Sequence, residues 1–235
     1  MRTILIICFC LVAVCGICQS QLSFQVGYGT FALADIKSLQ ESQLLTYPVK
    51  AEITSSFPSY WIYGLSGKKF LRNNFMIGVS GVMGSTGSRI YYEDYSGSVG
   101  SDQLLRFTAL GLHLGIFDRL KSQKVHFTVD LNPGVVFTSM KLRSFQALQG
   151  YAPSEVVTDV RSLNVALQPT FALTRRFGPL GLNVFAGYHV MIVQGKLKLK
   201  ENKDAFLAVK ADWSGLRVGV GAVLFLKRSA SSLDQ

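Results

Sequence analysis

The sequence predicts an all-β chain, an antiparallel eight-stranded transmembrane β-barrel preceded by a cleaved signal peptide, and three observations carry that prediction. Segments in which apolar residues alternate with small or polar ones recur along the chain, each long enough to cross a bilayer as a tilted strand. Beyond the leader no stretch reaches the roughly 18 apolar residues of a transmembrane helix. Lipid satisfies no open backbone groups, so crossing strands must close on themselves. Charged residues are only 16% of the 235, against roughly 25% in soluble domains, as a wall turned to hydrocarbon requires.

The leader comes first. Arg2 gives a positive tip, residues 4–17 an apolar stretch, and Cys18-Gln19-Ser20 ends on a small residue, so cleavage is expected after Ser20. The expected organisation is a signal peptide at 1–20, an outer-membrane barrel at 21–228 and a short periplasmic tail at 229–235. Cys8, Cys10, Cys15 and Cys18 all fall in the leader, leaving the mature chain without thiol or disulfide. A lipoprotein signal ending at Cys15 or Cys18 is the alternative, but Val14 and Ile17 are bulky where such signals use small residues.

Eight segments follow. The first, 22–32, sets Leu22, Phe24, Val26 and Tyr28 against Ser23, Gln25, Gly27 and Gly29. The second, 59–67, carries Trp61, Tyr63 and Leu65, and after a turn at 68–73 the third, 74–84, carries Phe75, Ile77 and Val79. The fourth, 103–117, opposes Leu110, Leu112, Leu114 and Ile116 to Gly111, His113 and Gly115. In the fifth, 125–142, Val125, Phe127, Val129 and Leu131 face away from His126, Thr128, Asp130 and Asn132, and Pro133-Gly134 is expected to form a bulge or bend. The sixth, 162–174, alternates Leu163, Val165, Leu167, Phe171 and Leu173 with Asn164, Ala166, Gln168 and Thr170.

The seventh, 180–192, is the clearest: seven residues from Leu180 to Ile192 share one face, with Asn183, Gly187 and His189 on the other. At roughly 3.3 Å per residue it extends about 40 Å, and a tilt near 45° projects this to about 28 Å, close to the height of a hydrocarbon core. In the eighth, 215–226, Leu216, Val218, Val220, Ala222, Leu224 and Leu226 oppose Arg217, Gly219 and Gly221.

Short connections near 68–73, 118–124 and 175–179 alternate with long ones near 33–58, 85–102, 143–161 and 197–212. Outer-membrane barrels show this inequality, with short periplasmic turns and longer external loops, so both termini are expected to be periplasmic. In the first long loop Asp35 is expected to cap a short helix reaching about Leu44, either packed on the rim or plugging the mouth. The tyrosines and acids of 86–97 suit either an external ligand or anchoring at the interface. Lys196, Lys198 and Lys200 continue the seventh segment's outward face towards the phosphates of outer-leaflet glycolipid.

The charge of +10 does not point to nucleic acid. Lys68, Lys69, Arg72, Arg119, Lys121, Lys124, Arg175, Arg176, Lys227 and Arg228 gather in short turns or at the last strand's end, as a basic ring beside anionic headgroups, without interleaved aromatics. His113, His126 and His189 share faces with the polar residues, as do Asp130 and Arg217. A nucleophilic or metal site needs a histidine near a hydroxyl, carboxylate or second ligand. No spacing demonstrates one, so no catalytic, cofactor-binding or metal residue is assigned, and whether the three histidines form a site or fill the lumen stays open.

The strands, the first-loop helix, the Phe57-Pro58-Ser59-Tyr60-Trp61 run into the second strand and the 86–97 segment resemble small outer-membrane β-barrel proteins of double-membraned bacteria. More distantly the architecture is similar to the eight-stranded barrels of the OmpA and OmpX type. The resemblance implies a fold and an address, with membrane lipids, glycolipid and the barrel-assembly machinery as partners, and brings no catalytic residues. Such barrels often end on a terminal aromatic; here Phe225 is followed by a polar tail. The leading expectation is a non-enzymatic outer-membrane protein with a structural or surface-binding role through its loops. The alternatives are a lipid A-modifying acyl hydrolase or acyltransferase, and a secreted soluble barrel with an apolar ligand inside, which needs the faces reversed.

Overall fold

The computed structural model describes residues 20–71, 74–119, 124–202 and 205–226. In chain order its elements are β1 (Ser20–Gly29), α1 (Ala34–Thr46), β2 (Glu52–Ser56), β3 (Tyr60–Phe70), β4 (Phe75–Asp94), β5 (Gly97–Arg119), β6 (Val125–Leu148), β7 (Ser154–Phe177), β8 (Leu180–Val193), β9 (Lys196–Leu199), β10 (Phe206–Lys210) and β11 (Gly215–Leu226). The leader up to residue 19, with its cysteines, and the tail after residue 226 lie outside the described residues.

Eight strands close a ring in the order β1, β3, β4, β5, β6, β7, β8, β11 and back to β1, every pair antiparallel. Closure leaves no ladder edge to lipid. Three short strands stand outside the ring: β2 pairs with β4, β9 with the outer part of β7, and β10 with β9.

The faces fall as the alternation dictates. On β8, Leu180, Leu182, Val184, Ala186, Tyr188, Val190 and Ile192 are exposed while Gly181, Asn183, Phe185, Gly187, His189 and Met191 are buried. The same holds for Leu110, Leu112, Leu114 and Ile116 on β5 and for Leu216, Val218, Val220 and Leu224 on β11. Large apolar side chains therefore cover the outside. This is the wall of a transmembrane barrel, and it overturns the secreted soluble alternative, whose ligand cavity required the opposite orientation.

Several expectations at the ends of segments are corrected. Residues 85–102 and 143–161 are not mainly loop: β4, β5, β6 and β7 run 20, 23, 24 and 24 residues. The ladder persists there because Thr86, Ser88, Gln103 and their neighbours keep the period of two without needing apolar partners. At 68–70 the expected turn is strand, and Lys68 points inward, since the parity of Trp61, Tyr63 and Leu65 outward puts Ser66 and Lys68 inside. Arg175 and Arg176 likewise end β7 and are not turn residues. Pro133-Gly134 forms no bulge. The β5–β6 register passes from Gly111↔Gly134 to Leu114↔Leu131 with its offset unchanged, and β6–β7 pairing is continuous through Pro133↔Leu167. A proline has no N–H to donate, so it costs ladder pairing without shifting the strand.

The first-loop helix is present, but Asp35 does not cap it. Leu33 occupies the N-cap position with φ 46°, and no side chain caps the helix. Asp35 sits in the first turn and accepts the Lys210 N–H (3.2 Å), tying α1 to β10.

Inside, the polar filling is only half the story. At the end bearing the connections that contain α1, β9 and β10, here the loop end, a block of apolar residues fills the inside, with buried polar residues such as Gln40, Thr86, Ser88 and Gln103 beyond it. Phe31, Leu33, Ile36, Phe57, Leu105, Phe107, Met140, Val160, Leu197 and Trp213 belong to one buried cluster. Trp213 stacks edge-on against Phe31 (5.1 Å) and donates from Nε1 to Thr138 Oγ1 (2.9 Å). The helix thus joins both expected arrangements: it lies on the rim, and its fully buried Ile36 enters the plug.

Candidate functional site

Below the plug lies a cavity of ≈60 Å³ whose polar lining includes Gln25 on β1, Lys68 on β3, His113 on β5, Asp130 on β6, Gln168 on β7, His189 on β8 and Arg217 on β11. Strand parity places them here, because each shares the inward face of a strand whose other face meets lipid. Lys68 Nζ donates to Asp130 Oδ2 at 2.5 Å, with the two side chains 6% and 2% exposed. His113 Nδ1 stands 3.7 Å from the same oxygen. Gln168 Oε1 accepts from Arg217 Nη1 (3.1 Å) and lies 3.2 Å from His189 Nδ1. Arg217 also stacks on Phe107, 5.0 Å from its ring centre. Asn132 Nδ2 and Gln168 Nε2 both donate to Thr170 Oγ1, at 3.2 Å each.

The three histidines do not converge. His113 and His189 line this central cavity, whereas His126 lies in a separate pocket at the other end with Phe70, Phe117 and Phe225. Among the described residues no group of three or more His, Cys, Asp or Glu could hold a metal ion. The arrangement holds charges in register across the lumen, and the plug separates it from the loop end. Lys68 was missed at sequence level because the run Lys68-Lys69 looks like a turn; continuing the second segment's parity by one residue beyond Gly67 would have found it.

The second candidate surface is at the loop end, where β4 to β7 continue as a sheet beyond the apolar band. Tyr91 is eight residues past Met83, the last large apolar residue on the outer face of β4, about 26 Å along the strand and about 20 Å along the barrel axis at a tilt near 40°. The 86–97 tyrosines therefore stand well beyond the outer apolar face of β4. Nearer the apolar wall, Tyr28 and Trp61 pack edge to face at 5.9 Å, with Tyr60, Tyr63 and Tyr188 also exposed. Two forked ion pairs brace the extension: Arg89 Nε and Nη2 donate to Asp102 at 2.6 and 3.1 Å, and Arg143 Nε and Nη2 to Glu155 at 2.8 and 2.9 Å.

Their hydrogen bonds raise the Arg89 and Arg143 guanidinium pKa and lower that of the Glu155 carboxyl. At the hairpin tip Asp94 accepts from the Ser96 hydroxyl (2.6 Å), the Ser96 N–H (2.8 Å) and Tyr92 (2.8 Å), and the Ser96 hydroxyl leads in holding its carboxyl below the usual range. Tyr91 is bound to Glu93, and Tyr95 alone of the three stands free, 95% exposed. An open groove of ≈530 Å³ runs beside this sheet, lined by Tyr60, Arg89, Asp102, Lys141 and Arg143 among others.

A closed eight-stranded ring, an apolar outer wall and a filled lumen define a small β-barrel of the outer-membrane type. Among solved structures the chain is similar to Ail, the attachment invasion locus protein of Yersinia pestis, at 12% identity and TM-score 0.35, over 88% of this chain and 97% of that one. It is similar to Neisserial surface protein A at 11% identity and TM-score 0.35, over 88% and 97%. Ail in complex with the heparin analogue sucrose octasulfate follows at 9% and 0.33, over 88% and 98%. No protein-family model matches the sequence, and no curated protein does.

Proposed function

We propose that the protein is a non-enzymatic integral protein of a bacterial outer membrane whose role is exercised at the loop end, by structural stabilisation or by binding an external ligand. The observation that carries this is the contrast between the two ends. A plug of fully buried Leu33, Ile36, Leu105 and Trp213 fills the lumen, while β4 to β7 project a braced sheet with a groove and an exposed tyrosine. Such an interior favours neither passage of solutes nor access of substrate to His113 or His189.

In this reading a signal peptide ends at Ser20, both termini face the periplasm, the assembly machinery inserts the barrel, and lipid and glycolipid surround it. The chain beyond residue 20 has no cysteine, so Ser96→Cys reports topology without background. The variant is expected to react with a membrane-impermeant maleimide on intact cells; reaction only after lysis would reverse the orientation. Against the lipid-modifying alternative, single replacement of His113, His126 and His189 and deletion of the gene are expected to leave the lipid A acyl pattern unchanged in mass spectra.

A further inference from the structure

The sheet register draws together cations that lie far apart in sequence. On the outer wall Arg106 of β5 pairs with Ser139 of β6, Ser139 with Arg161 of β7, and Arg161 with Lys198 of β9. All four side chains are exposed on one face, so they form a single row across four neighbouring strands. At about 4.8 Å per strand the row is about 14 Å wide.

Its height matters as much as its charge. Two residues nearer the membrane on β6 and β7 stand Phe137 and Leu163, 48% and 56% exposed, and on β5 Thr108 leads to Leu110. On β6 and β7 the row therefore borders the apolar wall, and on β5 Leu104, 37% exposed, lies just beyond Arg106. The acids nearby stand farther out and are engaged: Asp102 with Arg89, Glu155 with Arg143, and Asp159 with Lys200 at 3.9 Å. No described acid pairs with Arg106, Arg161 or Lys198.

We propose that Arg106, Ser139, Arg161 and Lys198 form a binding site for a phosphorylated glycolipid of the outer leaflet, its phosphates on the cationic row and its acyl chains along Phe137 and Leu163. Cations at a junction with exposed hydrocarbon match an anionic amphiphile at both ends. The site deepens the reading above and rests on the loop end facing outward.

The test titrates the purified full chain in detergent with bisphosphorylated lipid A and with the same lipid after enzymatic removal of its phosphates. Each interfacial cation contributes about fivefold, so the triple variant R106Q/R161Q/K198Q is expected to bind bisphosphorylated lipid A about a hundredfold more weakly. Its affinity for the phosphate-free lipid should match wild type, and K69Q/R175Q at the other end should leave both unchanged. Heat-modifiable mobility on gels confirms that each variant is folded.

Equal affinity of wild type and triple variant overturns the site. So does equal binding of the two lipids, or full displacement of the lipid by millimolar inorganic pyrophosphate, which would mark a site for free anions. Because the titration needs no membrane orientation, its failure is separate from failure of the Ser96→Cys labelling.

Discussion

Removing one member of the Lys68–Asp130 pair should damage the barrel far more than removing both. The side chains are 6% and 2% exposed, and their contact at 2.5 Å lies across the lumen between β3 and β6, which are not neighbours in the ring. Two unit charges 4 Å apart attract by about 4 kcal/mol at an effective dielectric constant of about 20. Leaving one such charge buried alone costs about 3–5 kcal/mol. Lys68→Met strands the Asp130 carboxylate with only His113 near, and Asp130→Leu strands the ammonium. The double variant buries neither charge and is expected within about 1 kcal/mol of wild type. Reversible urea unfolding in lipid vesicles, followed by tryptophan fluorescence, gives the three differences. A coupling energy of at least about 2 kcal/mol is expected from the cycle. Singles that each cost under about 1 kcal/mol, or a double equal to their sum, would refute the claim that this pair is buried and mutually dependent.

Trp213→Ala removes the largest side chain of the plug, fully buried against Phe31 and Phe107, and should cost about 3–5 kcal/mol and raise single-channel conductance in planar bilayers above the wild-type level. Gly219 faces Gly27 across the β1–β11 ladder beneath Phe185, whose Cζ would stand 2.7 Å from an added Cβ, so Gly219→Val is expected to prevent heat-modifiable folding while the outward Val218→Ala does not. At the tip, the Asp94 carboxyl is depressed on folding, so its contribution to turn order is complete above the ordinary carboxylate pKa of about 4 and is lost as pH falls through the lower folded value. Amide exchange at Ser96, corrected for intrinsic rate, should accelerate only on that acid side, and Asp94→Asn should remove the transition.

The ring was legible because lipid imposes a period of two on every spanning strand. Leu216 to Leu224 and Leu180 to Ile192 face outward as the alternation requires, and β11 has the bounds the pattern gives. What was not legible lies where lipid no longer selects residues. Beyond the band, Thr86, Ser88 and Gln103 are inward and Arg89 and Asp102 outward, polar on both faces, so strand looked like loop. The plug was hidden for a related reason. Phe107, Met140 and Trp213 are apolar on the face expected to be polar, and nothing in a single strand's pattern says that a helix residue such as Ile36 arrives to cover them. The Arg106, Arg161 and Lys198 row depends on pairing between strands up to 92 positions apart, and the Lys196–Lys198–Lys200 alternation was only its visible edge.

Spin labels placed one at a time along residues 182–191 of β8 in lipid vesicles test the central claim most directly, since oxygen partitions into hydrocarbon and reports which side chains meet it. Accessibility should oscillate with a period of two, high at residues 182, 184, 186, 188 and 190 and low at 183, 185, 187, 189 and 191. An oscillation of opposite phase, or one of 3.6 residues, would contradict an apolar-walled barrel.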